Sequence, residues 1–203
     1  MITIPRVADA RSPFREETVP IATVNWASFP SSSTVRLFTA WDGNLIHLRF
    51  EVNDTAVLAL VTEDNGPVWR DRCVEWFVSF DGRCYYNIEA NPIGTLLVQY
   101  GPSRSHRRFI EPERLVSIHR TPSLGRAPLP LVCTPTVWSL TLLIPVAFFA
   151  PEGNHLSPGT VAHGNFHFCG DDLPERQYLT HYPITTERPN FHRPDCLGPL
   201  YFT

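Results

Sequence analysis

Short apolar runs separated by turn residues dominate the chain from Val35 onward, with almost none of the 3.6-residue spacing of amphipathic helices. Asp42-Gly43-Asn44 and Asp64-Asn65-Gly66 are typical of the turns between them. This succession is typical of an all-β protein, and it predicts a jelly-roll-like antiparallel β-sandwich. The nine predicted strands cover residues 35–40, 45–52, 56–61, 73–80, 84–91, 95–100, 115–120, 136–144 and 160–168.

Helix is expected only in short pieces, near residues 112–115 and 145–150. No internal repeat or linker divides the chain, so we expect a single domain over residues 1–203, with residues 1–20 as a lead-in along a sheet. The tail beyond Gly170 is rich in proline, histidine and aromatic residues, and we expect it to pack over the sheets.

The segment at residues 68–91, VWRDRCVEWFVSFDGRCYYNIEAN, predicts a β-hairpin. A two-residue turn at residues 81–82 would place Val74 opposite Glu89 and mix apolar with polar faces. A connection one residue longer places Glu75 opposite Glu89 and keeps each face uniform. Burying an unpaired carboxylate costs several kcal/mol, so we predict a three-residue loop or a bulge despite the Asp-Gly signal.

The resulting polar face carries Glu75, Asn87, Glu89 and Asn91. Opposed carboxylates destabilise a strand pair unless something lies between them. Three arrangements could offset this repulsion: an ion-pair network with the nearby arginines 70, 72 and 83, a bound cation, or a ligand with many hydroxyl groups. Carboxylates and amides form strong hydrogen bonds with sugar hydroxyls, and Trp69 is placed to cover the apolar face of a sugar ring.

Composition narrows the function classes. At 43% hydrophobic and 12% aromatic, the 203 residues can bury a large core. Only 18% are charged and the formal net charge is −3, which gives no case for nucleic acid as a partner. The one basic cluster, Arg104, His106, Arg107 and Arg108, is interpreted as a solvated loop.

No apolar stretch is long enough to span a membrane, so no membrane partner is expected. The N-terminus lacks the apolar centre of a signal peptide, which predicts a cytoplasmic location unless a leader was removed. The five cysteines (73, 84, 133, 169 and 196) show no metal-binding spacing, and we expect reduced, buried thiols.

Several blocks resemble the family 9 carbohydrate-binding-like domains. They are VWRDRCVEWF followed by YYNIEANPIGTLL, then WSLTLLIP (138–145), GNFHFCGD (164–171) and FHRPDCLG (191–198). The likeness extends in order from about Val24 to the end of the chain. It implies an antiparallel β-sandwich that binds oligo- or polysaccharides without catalysis, with two aromatic rings that clamp a terminal sugar.

Carried over by matching position, Trp69 would be one ring, Glu75 a hydrogen-bonding carboxylate and Asn165 an amide near the same site. The family often has a tryptophan where this chain has His181, in QYLTHYPI (177–184), so His181 or Tyr182 would supply the second ring.

Cofactors are not expected apart from calcium. Some relatives of this sandwich bind calcium through carboxylates, and Asp171 and Asp172 are weak candidates, although no DxDxDG loop is present.

Three other functions remain open. The first is a structural or partner-binding sandwich with a degenerate sugar site, since His181 replaces a tryptophan. The second is a glycosidase that uses Glu75 and Glu89, although carboxylates side by side on a sheet would not flank a scissile bond. The third is haem binding. It would require two histidine ligands, because Met1 is the only methionine and a Met–His pair is therefore not available. The pattern does not select the sugar or the oligomeric state.

Overall fold

Two sheets carry most of the strands in the computed structural model of the chain, which describes residues 1–8, 13–15 and 17–203. Part of the predicted lead-in at 1–20 lies outside the described residues. The strands are β1 (Ile2–Ile4), β2 (Val19–Pro20), β3 (Thr23–Val24), β4 (Thr34–Trp41), β5 (Leu45–Asp54), β6 (Val57–Ala59), β7 (Cys73–Ser79), β8 (Tyr85–Ala90), β9 (Leu96–Ser103), β10 (His106–Phe109), β11 (His119–Pro122), β12 (Leu129–Val132), β13 (Thr136–Pro145), β14 (Val161–Cys169), β15 (Leu179–Thr180) and β16 (Gly198–Phe202).

The first sheet runs in the order β1-β16-β14-β7-β8-β9-β10, and β15 joins β14 to β3. The second sheet has the order β11-β13-β5-β4-β2, and β12 pairs with β6 in a small third sheet. Among the described strands, only β1 and β16 pair in parallel. The fold is therefore an antiparallel β-sandwich, as the spacing of apolar runs predicted.

The main core lies between the two sheets and follows from the alternation of side chains along the strands. On β13, Trp138, Leu140, Leu142 and Ile144 are buried, while the residues between them are partly exposed. On the facing sheet, Trp76 stacks on Phe166 with ring centroids 6.0 Å apart. Each such large apolar side chain contributes about 1.5–3 kcal/mol on burial.

Helical structure is limited to short pieces. One α-helix, α1, covers Pro112–Leu115, and 3₁₀ turns cover Val68–Arg70, Val146–Glu152 and Pro194–Cys196. This confirms the helix predicted near 112–115 and the one near 145–150. Within the described part of the chain, no helix has the length and apolar character needed to cross a membrane.

The strand predicted at 115–120 is correct only at its last two residues. All nine predicted runs overlap a strand, but here a helical turn ends at Leu115 and the strand β11 begins only at His119. Leu115 and Ile118 are both buried, and Val116 is exposed. The three-residue spacing of those buried positions fits a helical turn that starts at Pro112, a residue favoured in the first turn.

The outer face of the first sheet is covered by a second apolar layer. The tail packs against the polar face, as the tail's composition predicted. Trp26 donates from its indole Nε1 to the carbonyl of Thr186 over 2.7 Å. The apolar members of this layer are Trp26, Val68, Cys73, Phe77, Tyr85, Leu97, Cys169, Ile184 and Phe191.

Candidate functional site

The hairpin of β7 and β8 has the register that the uniform faces predicted. Glu75 lies directly opposite Glu89, and the strands are joined through residues 80–84. Asp81 shapes the connection, because its Oδ1 accepts hydrogen bonds from the backbone N–H of Arg83 at 2.8 Å and of Cys84 at 3.0 Å. The two-residue Asp-Gly turn is thus avoided, and both carboxylates point to the outer face.

A pocket of about 230 Å³ opens on this outer face, between the sheet and the tail. The nearly fully buried side chains of Glu75, Glu89 and Cys169 form its inner end, while Trp69, which is 41% exposed, lies at the rim. The predicted grouping of Trp69 with the two carboxylates is therefore present in one cavity.

Burial controls the charge state of the carboxyl pair. It raises the pKa of Glu75 to about 8, with a further increase from the charge of Asp171. It also raises the pKa of Glu89 well above its ordinary value, and the charge of Glu75 adds to that effect. At neutral pH the pair therefore retains protons, so it offers hydroxyl donors as well as acceptor oxygens to a ligand.

The hydrogen bonds of the pair are incomplete. Oε1 of Glu89 accepts from the amide of Asn87 at 2.8 Å, whereas Oε2 of Glu89 has no partner among the described residues. Oε1 of Glu75 accepts from the thiol of Cys169 at 3.2 Å. A buried oxygen without a partner costs about 1–3 kcal/mol, so the pocket is suited to a ligand that supplies a donor.

Two arginines that lie along the pocket were not expected there. Arg107 donates from Nη1 to Oδ1 of Asn87 at 2.8 Å, and both Arg107 and Arg104 line the cavity. The interpretation of residues 104–108 as a loop is wrong, because residues 106–109 form the strand β10, which folds back along β9. The side chains of Arg104, His106 and Arg108 are nevertheless exposed to solvent, as expected. Within the described chain, neither the guanidinium of Arg104 nor that of Arg107 lies within 4 Å of a carboxylate.

The ion-pair network that the nearby arginines could have made with the carboxyl pair is not formed. Arg70 pairs instead with Asp172 at 2.8 Å. Arg72 forms a fully buried pair with Asp54 at 2.9 Å. Glu75 and Glu89 are left without a bound cation from those positions.

The tail supplies an aromatic wall. Phe191 lines the pocket and stacks on the buried ring of His167, with centroids 4.3 Å apart. His192 also lines the pocket, and its Nδ1 lies 3.1 Å from the hydroxyl of Tyr85. Burial lowers the pKa of His192 to about 3, so this ring is neutral. The FHRP segment was recognised in the sequence, but its position over the carboxyl pair was not.

The three predicted amides have different positions. Asn87 lies beneath the pocket, between Glu89 and Arg107. Asn91 is fully buried and donates to Oδ2 of Asp71 at 2.9 Å, a hydrogen bond that lies outside the cavity. Asn165 is also buried, and its Oδ1 accepts from the backbone N–H of Tyr182 at 2.9 Å. Asn91 and Asn165 do not line the pocket, so their predicted contact with the ligand is not supported by their placement.

His181 and Tyr182 lie outside this pocket. The ring Nδ1 of His181 lies 2.8 Å from the carbonyl oxygen of Pro20, beside a different cavity near the N-terminus. The hydroxyl of Tyr182 donates to the carbonyl of Pro199 at 2.9 Å. The prediction that either ring stands opposite Trp69 is wrong, because β15 carries this segment toward β3 and away from the cavity.

The two candidate calcium ligands face different partners. Oδ1 of Asp171 accepts from the hydroxyl of Tyr178 at 2.7 Å, at the side of the pocket. Asp172 is paired with Arg70. Calcium binding by these aspartates stays a prediction.

Comparison with known proteins gives the family. The sequence model of carbohydrate-binding family 9 matches residues 9–202. A crystal structure of a putative carbohydrate-binding protein from Bacteroides uniformis ATCC 8492 is 34% identical, with a TM-score of 0.93 over 100% of this chain and 98% of that chain. No curated protein matches this chain.

Two further structures share the fold. A family 9 carbohydrate-binding module from Caldicellulosiruptor kristjanssonii in complex with cellotriose is 13% identical, with a TM-score of 0.62 over 99% of this chain and 92% of that one. A second, in complex with glucose, is also 13% identical, with a TM-score of 0.57 over 100% and 95%. Since the family match spans nearly the whole sequence, the chain belongs to carbohydrate-binding family 9.

Proposed function

We propose that the pocket binds the terminal ring of an oligo- or polysaccharide and performs no chemistry on it. The observation that carries this proposal is the meeting of a half-exposed indole, Trp69, with the buried carboxyl pair Glu75 and Glu89 in one cavity. An apolar platform beside several hydrogen-bonding groups matches a sugar, which has apolar C–H faces and an equatorial set of hydroxyl groups.

The platform is held in place by the backbone around it. Trp69 lies in the 3₁₀ turn Val68–Arg70, and Val68 before it is fully buried. The carbonyl of Trp69 accepts a hydrogen bond from the backbone N–H of Asp171 at 3.1 Å. A backbone that is already ordered loses little conformational freedom on binding, which favours affinity.

The polar groups of the pocket can both donate and accept hydrogen bonds. Protonated Glu75 or Glu89 donates, Gln99 does both, and Arg104 and Arg107 donate through charged groups. Hydroxyl groups also do both, and charge-assisted hydrogen bonds are the stronger kind. This mixed set supports a polyhydroxyl ligand over an apolar one.

The size and the arrangement of the site support binding of a chain end without hydrolysis. Its volume of about 230 Å³ is below the roughly 300–1,000 Å³ of pockets for drug-sized ligands, which favours a single sugar ring. Glu75 and Glu89 are opposed on adjacent strands, so they lie side by side. Glycosidases place their two carboxyl groups on either side of the bond that is cleaved.

The test is calorimetric titration with short saccharides. Glucose and cellotriose are the first ligands, because structures of the same fold contain them, followed by other short glycans. Trp69→Ala is expected to weaken binding at least tenfold, in line with about 1.4 kcal/mol or more for a central aromatic contact. Phe109→Ala is the matched control, since Phe109 is 52% exposed and lies outside the pocket.

Two outcomes would contradict the proposal. One is wild-type protein that binds no glycan in the series. The other is a Trp69→Ala variant that binds as tightly as the Phe109→Ala control. Release of reducing ends from the same oligosaccharides, lost on substitution of Glu75, would show instead that the carboxyl pair is catalytic.

A further inference from the structure

Four potential metal ligands form a two-by-two array on the outer face of β7 and β14. Cys73 lies directly opposite Cys169, and Glu75 lies directly opposite His167. Residues two apart on a strand share a face, so all four side chains point the same way. All four are buried. The cysteines are unpaired thiols.

The distances within the array are close to those of a coordination site. The Sγ of Cys169 lies 3.2 Å from Oε1 of Glu75, and one ligand atom from each of Cys73, Glu75 and Cys169 lies within 4.8 Å of the others. Tetrahedral zinc, with bonds of about 2.3 Å to sulfur and about 2.0 Å to oxygen, requires ligand atoms roughly 3.5–3.8 Å apart. Movements of about 1 Å would bring the three groups around one ion.

We propose that Cys73, Glu75 and Cys169 form a zinc site at the inner end of the pocket. Two thiolates with one carboxylate favour a borderline-soft ion such as zinc, whereas calcium and magnesium prefer sets of oxygen ligands. Each thiol and the carboxyl group of Glu75 release their protons to solvent as they bind the ion. Glu75 and Cys169 line the pocket, so the ion enters from there, and water can occupy the fourth position.

His167 gives a second and independent reason for a ligand at this place. Its ring is fully buried, and neither nitrogen has a hydrogen-bond partner in the described part of the chain. Nδ1 lies 3.4 Å from Oε2 of Glu75, without the alignment of a hydrogen bond. With zinc bound, Glu75 is ionised and His167 can donate a hydrogen bond to it, as outer groups commonly do to carboxylates that ligate a metal.

The test measures metal retained by the intact, reduced protein. The protein is incubated with zinc sulfate, desalted and analysed for metal, and Co²⁺ is added in parallel to look for thiolate-to-cobalt absorption. We expect about one zinc per chain in the wild type and in Cys133→Ser, a control that removes an exposed cysteine outside the array. Cys73→Ser and Cys169→Ser are each expected to retain at least tenfold less.

A measurement on the wild type alone covers the case in which the serine variants fail to fold. Zinc should slow alkylation of Cys73 and Cys169, followed by peptide mass spectrometry, and leave Cys133 unchanged. Retention of less than a tenth of an equivalent by the wild type, or equal protection of all three thiols, would overturn the proposal. The zinc proposal rests on the residues of β7 and β14 and not on sugar binding. Sugar binding is measured separately, with EDTA present to remove metal.

Discussion

Replacing Glu75 by glutamine should stabilise the protein at alkaline pH. In the folded chain burial raises the pKa of Glu75 from an ordinary 4.5 to about 8. Near pH 4 the carboxyl is largely protonated in both the folded and the unfolded chain. Between the two pKa values the unfolded chain has released the proton and the folded chain has kept it. The free energy of unfolding therefore falls as the pH rises through this interval. Glutamine keeps the shape of the side chain and removes the titration.

The magnitude follows from the two pKa values. Each pKa unit corresponds to 1.36 kcal/mol, so the interval from 4.5 to about 8 gives a ceiling of about 5 kcal/mol. Solvent that reaches the pocket and the relief of Glu89 from its like-charged neighbour alter that figure. We expect the stabilisation by Glu75→Gln to be roughly 2–5 kcal/mol larger at pH 9 than at pH 4.

The assay is urea denaturation at one-unit steps from pH 4 to pH 9, with the free energy obtained by linear extrapolation. The quantity compared is the difference between Glu75→Gln and wild type at each pH, because other titrating groups then cancel. Glu51→Gln is the control, since Glu51 pairs at the surface with Arg36 and Arg49. A difference for Glu75→Gln that stays constant within about 0.5 kcal/mol across this range would refute the reasoning.

Two further predictions concern stability and use the same urea assay. Arg72→Met should lower the free energy of unfolding by about 3–5 kcal/mol, because it leaves the fully buried carboxylate of Asp54 without its partner. The control Arg36→Met, at an exposed pair, should lower it by less than about 1 kcal/mol, and equal losses would contradict this prediction. Gly198→Ala should cost about 1–3 kcal/mol, because a Cβ there would lie 2.4 Å from the ring of Tyr182, and an unchanged midpoint would show that the ring moves aside freely.

The fold was predictable where side-chain alternation was strong. The alternation along β7 and β8 gave both the strands and their register, because a slip by one residue would have buried Glu89 against apolar neighbours. Residues 112–118 show the limit of that reasoning, since a short apolar run fits a helical turn as well as a strand. The edge strand β1 and its neighbour β16 were missed because each is short.

The candidate site was predictable only in part. Trp69 and the carboxyl pair follow from local spacing and from the resemblance to the family. Arg107 and Phe191 reach the pocket through a hairpin and a tail whose paths have no periodic pattern in the sequence. His181 was placed wrongly because its position depends on the pairing of β15 with β3, a contact between residues about 155 apart in the chain.

A crystal structure of the protein soaked with cellotriose and a mixture of other short glycans tests the central claim most directly. The account predicts a sugar ring stacked on Trp69, with a hydroxyl group within hydrogen-bond distance of Glu75 or Glu89. Sugar bound elsewhere, for example in the cavity beside His181, with this pocket left empty, would contradict it.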